Sequence, residues 1–218
     1  MKNNGYIKQL LWVLIFAAGF GYVEASVVVY LRALYYPDGF GFPLKMLPDR
    51  TLLVEAVREF ATILMILGAA VAAGKTKLER FAYFMFIFGI WDIVFYAVLK
   101  AVLNWPENFM TLDLLFFLPV AWVGPVLAPV IISASLIIAG VLVIYFENNG
   151  YRFYQSRLFW TIEIAGGVTV FVSFILSARD VLTRAYPKHF YWPLFLAGEL
   201  MGALPFACAV YKTFKIKR

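Results

Sequence analysis

Six apolar blocks alternate with short polar connections along the chain. They run from about Leu10 to Tyr36, Leu52 to Gly74, Phe81 to Leu103, Leu114 to Phe146, Leu158 to Ser177 and Tyr191 to Phe214. At a rise of about 1.5 Å per residue, roughly 20 residues cross a hydrocarbon layer ~30 Å thick, so each block can span once. The pattern predicts an all-α integral membrane protein, a six-transmembrane helix bundle forming a single domain over residues 1–218.

Two blocks need closer reading. The fourth is interrupted by Pro119, Gly124, Pro125 and Pro129. Proline removes a backbone donor and clashes with the preceding turn. The expectation is a short helix from Thr111 to about Pro119, a bent connection, and a true span from about Val126 to Phe146. The stretch Trp122-Val123-Gly124-Pro125 then reads as an interfacial kink, with a cavity wall as the alternative. The first block follows Lys2 and Lys8 and contains Val23-Glu24-Ala25, which resembles a signal-peptide cleavage site. The apolar run continues through Ser26-Val27-Val28-Val29-Tyr30, so an uncleaved span is expected.

Composition agrees. The 218 residues are 63% hydrophobic and 15% charged, whereas soluble domains are about 45–50% apolar and about 25% charged. The formal charge of +6 comes from Lys and Arg lying between apolar blocks. That placement orients spans in a bilayer and does not build a nucleic-acid surface. Lys75, Lys77, Arg80, Arg152, Arg157, Lys212 and Lys215 fall on the side holding both termini. The positive-inside rule makes that side cytoplasmic, in a cell (inner or plasma) membrane.

An internal repeat emerges next. Tyr36-Pro37-Asp38-Gly39-Phe40, Trp105-Pro106-Glu107-Asn108-Phe109 and Tyr186-Pro187-Lys188-His189-Phe190 follow the first, third and fifth blocks. Each reads aromatic, proline, charged, any residue, phenylalanine. Upstream, Phe20-Gly21-Tyr22-Val23-Glu24 matches Phe88-Gly89-Ile90-Trp91-Asp92, and eight residues after each acid stands a base, Arg32 or Lys100. Thr51-Leu52 and Thr111-Leu112 open the following segments. The third unit has Ser173 or Phe174 where the acid would stand. The pattern predicts three tandem two-helix hairpins, about 1–74, 75–147 and 148–218. Repeats in membrane proteins often place a site at their interface.

Intramembrane charge points to that site. Ionisable groups inside a span cost about 2.5–3.5 kcal/mol on insertion scales and usually face the bundle interior. Glu24 and Asp92 lie midway along their spans, and Glu199 about two turns inside the sixth. Glu55, Arg58 and Glu59 share one helical face. By depth, Glu24, Glu55, Glu59, Asp92 and Glu199 converge in one half of the bundle, with Arg32, Arg58 and Lys100 as counter-ions. Gly198 and Gly202 flank Glu199 in a GxxxG pattern that permits close helix approach.

Much chemistry is excluded. A single cysteine, Cys208, and a single histidine, His189, give no disulfide, no Cys/His zinc site, no iron–sulfur cluster and no bis-His haem. No HExxH, GxSxG, P-loop or dinucleotide motif stands in context. No metal and no cofactor is expected.

Trp91-Asp92, followed by Asp113-Leu114-Leu115-Phe116-Phe117, resembles the membrane-embedded lycopene cyclase type. Those are small helix bundles whose acids protonate an isoprenoid. Their paired acids before Phe-Phe are absent here, where Leu112-Asp113 stands.

The leading expectation is binding or transport of a small solute or ion through an outward-facing polar cavity. One alternative is an intramembrane acid–base enzyme acting on a lipid or isoprenoid, marked by a lateral opening beside Glu24, Asp92 and Glu199. Another is an accessory subunit of a larger membrane complex, marked by a broad aromatic face and no cavity. Expected partners are the lipid bilayer, a small solute, ion or lipid substrate, and a second copy or a larger complex. Nucleic acid is not among them.

Overall fold

The computed structural model describes residues 5–45, 48–182 and 189–216, with the backbone alone at 179–182 and 216. Lys2 and residues 186–188 of the third corner lie outside them. Six helices form: α1 Gly5–Tyr35, α2 Asp49–Ala73, α3 Lys77–Leu103, α4 Leu127–Asn148, α5 Arg157–Leu182 and α6 Trp192–Ile216. Each is long and apolar enough to cross a membrane. Their outer faces carry large apolar side chains such as Trp12, Leu34, Leu53 and Leu204.

The helices meet where small residues let backbones approach. At Gly89 of α3, an added Cβ would sit 2.6 Å from the Ser133 carbonyl oxygen of α4. At Gly21 of α1, a Cβ would sit 2.6 Å from the Trp91 carbonyl oxygen of α3. The sixth helix uses half of its predicted GxxxG motif. Gly198 lies against Gly166 of α5, whereas Gly202 faces open space.

Packing is uneven. The pairs α3–α4 and α5–α6 are in contact along their lengths. Helices α1 and α2 scarcely touch, and each leans instead on α3. One apolar cluster, including Ala17, Ile66, Ala70, Tyr83, Ile87, Val143 and Ile144, fills the space among α1 to α4. A second, of Ala128, Phe174 and Phe195, joins α4, α5 and α6 near the aromatic–proline corners.

The segment expected as a short helix from Thr111 to Pro119 is a β-hairpin. Strands β1, Leu112–Phe116, and β2, Trp122–Pro125, pair antiparallel, with Asp113 opposite Gly124 and Leu114 opposite Val123. A helix that short, closed by Pro119, lacks the hydrogen bonds to persist. Pairing satisfies the backbone instead. The Val126 N–H donates to the Thr111 carbonyl (3.0 Å), and the Leu127 N–H to the Phe109 carbonyl (2.8 Å). The hairpin packs on α5, where a Cβ at Gly124 would come within 2.6 Å of the Phe174 ring. Trp122-Val123-Gly124-Pro125 is therefore a strand, and Trp122 walls a cavity.

The α3–α4 crossing gives a direct test. Gly89→Leu is expected to cost on the order of 1–3 kcal/mol through overpacking, read as a lower melting temperature in neutral detergent. Gly68→Ala, at a site with nothing within 4 Å, is expected to leave the melting temperature unchanged or slightly raised.

Candidate functional site

Because α1 and α2 stand apart, a cavity of about 550 Å³ opens between them at the corner end of the bundle. Helices α1, α2, α3 and α4 supply its sides, and the β-hairpin supplies its roof. Aromatic rings dominate the wall, among them Phe88, Trp91, Phe95, Tyr96, Phe116 and Trp122. The apolar cluster of Ala17, Ile66, Tyr83 and their neighbours closes the opposite end of the bundle.

Six of the eight residues predicted from sequence line this cavity: Glu24, Arg32, Glu55, Arg58, Glu59 and Asp92. Two do not. Glu199 of α6 accepts a hydrogen bond from Ser135 (3.1 Å) away from the cavity. Lys100 is no counter-ion; its ammonium donates to the carbonyls of Pro106 (2.9 Å) and Asn104 (3.3 Å), closing the end of α3.

The acids differ in what they meet. Glu24 pairs with Arg58 across the α1–α2 gap and accepts from the Thr62 hydroxyl (3.0 Å). Arg58 also binds Glu55, one turn away on its own helix, at 2.8 Å. Glu59 turns to the roof, where its carboxylate accepts the N–H groups of Phe117 (2.9 Å) and Leu118 (3.3 Å). That bond ties the hairpin to α2. Asp92 is buried and accepts from Ser133 (2.8 Å). It makes no ion pair among the described residues. Glu24 and Asp92 each take a hydroxyl from the next helix, Thr62 and Ser133.

Sequence reasoning placed Asp113 outside the site, yet it lies at the centre of the roof, 3% exposed. It faces Arg32 at 3.4 Å and accepts from the Tyr96 hydroxyl at 3.1 Å. The available signal was an acid flanked by leucines between two proline-rich turns. Burial pushes the Asp113 carboxyl up to about 6, against the pull of Arg32, the Tyr96 hydroxyl and the Leu114 N–H. Arg32 joins two of the aromatic–proline corners. Its guanidinium packs against Trp105 (3.7 Å to the ring centre) and Phe40 (4.2 Å), one aromatic from each. Among the described residues, no group of three or more His, Cys, Asp or Glu is placed to hold a metal ion.

No family model, no curated protein and no solved structure matches this chain.

Two outcomes follow from this geometry. Glu59→Ala leaves the Phe117 and Leu118 N–H groups without their acceptor, an expected cost of about 1–3 kcal/mol. It should speed hydrogen–deuterium exchange across 112–125, and Glu59→Gln, which keeps one acceptor oxygen, should speed it less. The second concerns pH. Asp113 binds a proton more readily folded (about 6) than at its ordinary value of 3.8, so its contribution to stability grows as pH falls through about 6 and levels off below 3.8. Asp113→Asn is expected to flatten the melting temperature across that window.

Proposed function

We propose that the protein lies in a membrane, with six crossings and cytoplasmic termini, and binds a small amphipathic molecule in the cavity between α1 and α2. The carrying observation is the cavity itself, about 550 Å³ with aromatic walls and Asp92 without a cationic partner. Ligand sites are commonly about 300–1,000 Å³, mostly apolar, with a few converging polar groups. Polar walls for a hydrated ion were the sequence-based expectation, and rings take most of that place here. Movement through the bundle would need an opening across Ala17, Ile66 and Tyr83, which are fully buried, so binding is the narrower reading. An accessory subunit with no interior cavity fits less well. The shared pattern of Glu24 with Thr62 and Asp92 with Ser133 supports descent from repeated two-helix units.

A second reading is favoured by one feature. Asp92 holds a carboxyl among Phe88, Trp91, Phe95 and Phe116, a setting in which a general acid faces an apolar substrate and rings stabilise a developing cation. In that case the bound molecule is a lipid or isoprenoid substrate. Asp92→Asn then abolishes turnover while the substrate remains bound.

The binding reading is tested by solvent extraction and mass spectrometry of protein purified in neutral maltoside. An amphipathic molecule is expected to co-purify with the wild type. Ala121→Trp, which fills the cavity, should reduce its yield at least tenfold. Equal yields from wild type and Ala121→Trp would sink the proposal.

A further inference from the structure

The cavity has two chemical ends. Deep in it stand Asp92, Ser133 and the Glu24–Arg58 pair. About 12 Å further along α1, by helical rise over eight residues, Arg32 and Lys45 line its mouth. Arg32 is 7% exposed, so its guanidinium is withdrawn from solvent and needs partners for its N–H groups. One amino group reaches Asp113 at a long 3.4 Å, while Nε and Nη1 have no hydrogen-bond partner among the described residues. Trp105 and Phe40 stand edge-to-face to one another and both pack on the guanidinium, so neither supplies an acceptor for those N–H groups. Lys45, also at the mouth, makes no ion pair among the described residues; its backbone N–H donates to the Tyr36 hydroxyl at 2.8 Å. Five carboxylates, Glu24, Glu55, Glu59, Asp92 and Asp113, line the cavity with Arg32, Lys45 and Arg58, and among the described residues Asp113 is the carboxylate within 4 Å of Arg32.

Resting on the binding reading above, we propose that the ligand is an anionic amphiphile. Its phosphate or carboxylate head sits on Nε and Nη1 of Arg32, with Lys45 beside it. Its apolar chain runs down the aromatic wall toward Asp92. A guanidinium fork meets two oxygens of such a head at once, which a lone ammonium does not. The wide spacing of α1 and α2 gives the chain a side entry from the membrane core.

The test uses the full-length protein in neutral nanodiscs with ω-bromododecyl phosphate and ω-bromododecanol as probes. Bromine quenches tryptophan fluorescence, and Trp91 and Trp122 wall the cavity. The phosphate is expected to quench saturably and bind at least tenfold tighter than the alcohol. Arg32→Gln should bring the two probes to equal affinity, Arg32→Lys should keep part of the difference, and Lys45→Gln should reduce it severalfold. A wild-type melting temperature in Arg32→Lys shows that the fold survives. Equal binding of both probes to wild type overturns the anionic head while leaving the cavity reading intact. Binding of neither probe overturns both. Displacement of the bromo-phosphate by inorganic phosphate at similar concentration overturns the amphiphile and leaves a site for free oxyanions.

Discussion

The pairing of Arg58 with Glu24 is the interaction on which the architecture turns. Helices α1 and α2 touch little directly, and the apolar cluster that joins them lies at the far end of the bundle, so beside the cavity polar groups hold their spacing. A buried carboxylate from one and a guanidinium from the other bridge the gap, and Thr62 completes the set. Burying charge is costly unless it is paired and hydrogen-bonded. Here the cost is offset by satisfying Glu24 twice and Arg58 twice. The product is a hollow where a close-packed crossing would otherwise form. Removing Glu24 leaves Arg58 with Glu55 on its own helix, and removing Arg58 leaves Glu24 with the Thr62 hydroxyl and no cation beside it.

The acids divide their work accordingly. Glu24 and Glu55 neutralise Arg58, and Glu59 serves the backbone of the roof. Asp113 belongs to Arg32 and Tyr96. That leaves Asp92, whose described partner is one hydroxyl, as the group in the cavity most available to something foreign. Structural and functional roles thus fall on neighbouring side chains of the same type, separated by what each happens to face.

Much of this was legible in the chain, and the remainder fails for definable reasons. Span positions follow from the lengths of apolar runs, and α1 to α6 lie where those runs predict. The convergence of Glu24, Glu55, Glu59 and Asp92 follows from depth, because these residues sit on α3 and on the two helices, α1 and α2, that lean on it. Glu199 has a suitable depth but lies on a helix turned toward Ser135, and spacing alone does not reveal how one helix is rotated against the rest. The β-hairpin escaped notice because a short apolar strand has the same composition as a short buried helix. Asp113 escaped with it: its place beside Arg32 exists only once Leu112–Phe116 folds back on Trp122–Pro125.

One consequence lies in how unevenly the bundle surrounds its hollow. Among the described residues, the last two helices reach the cavity through Phe174, which also stands against Gly124 in the second strand, while Phe171 packs on Trp122 beside it. They act as a buttress behind the ceiling and leave the acids below untouched. A rocking of this outlying pair would bear on the ceiling through Phe171 and Phe174 while Asp92 and the Arg58 bridge stayed in place. Helices remote from the polar groups therefore have a mechanical route to the size of the chamber without altering its charge.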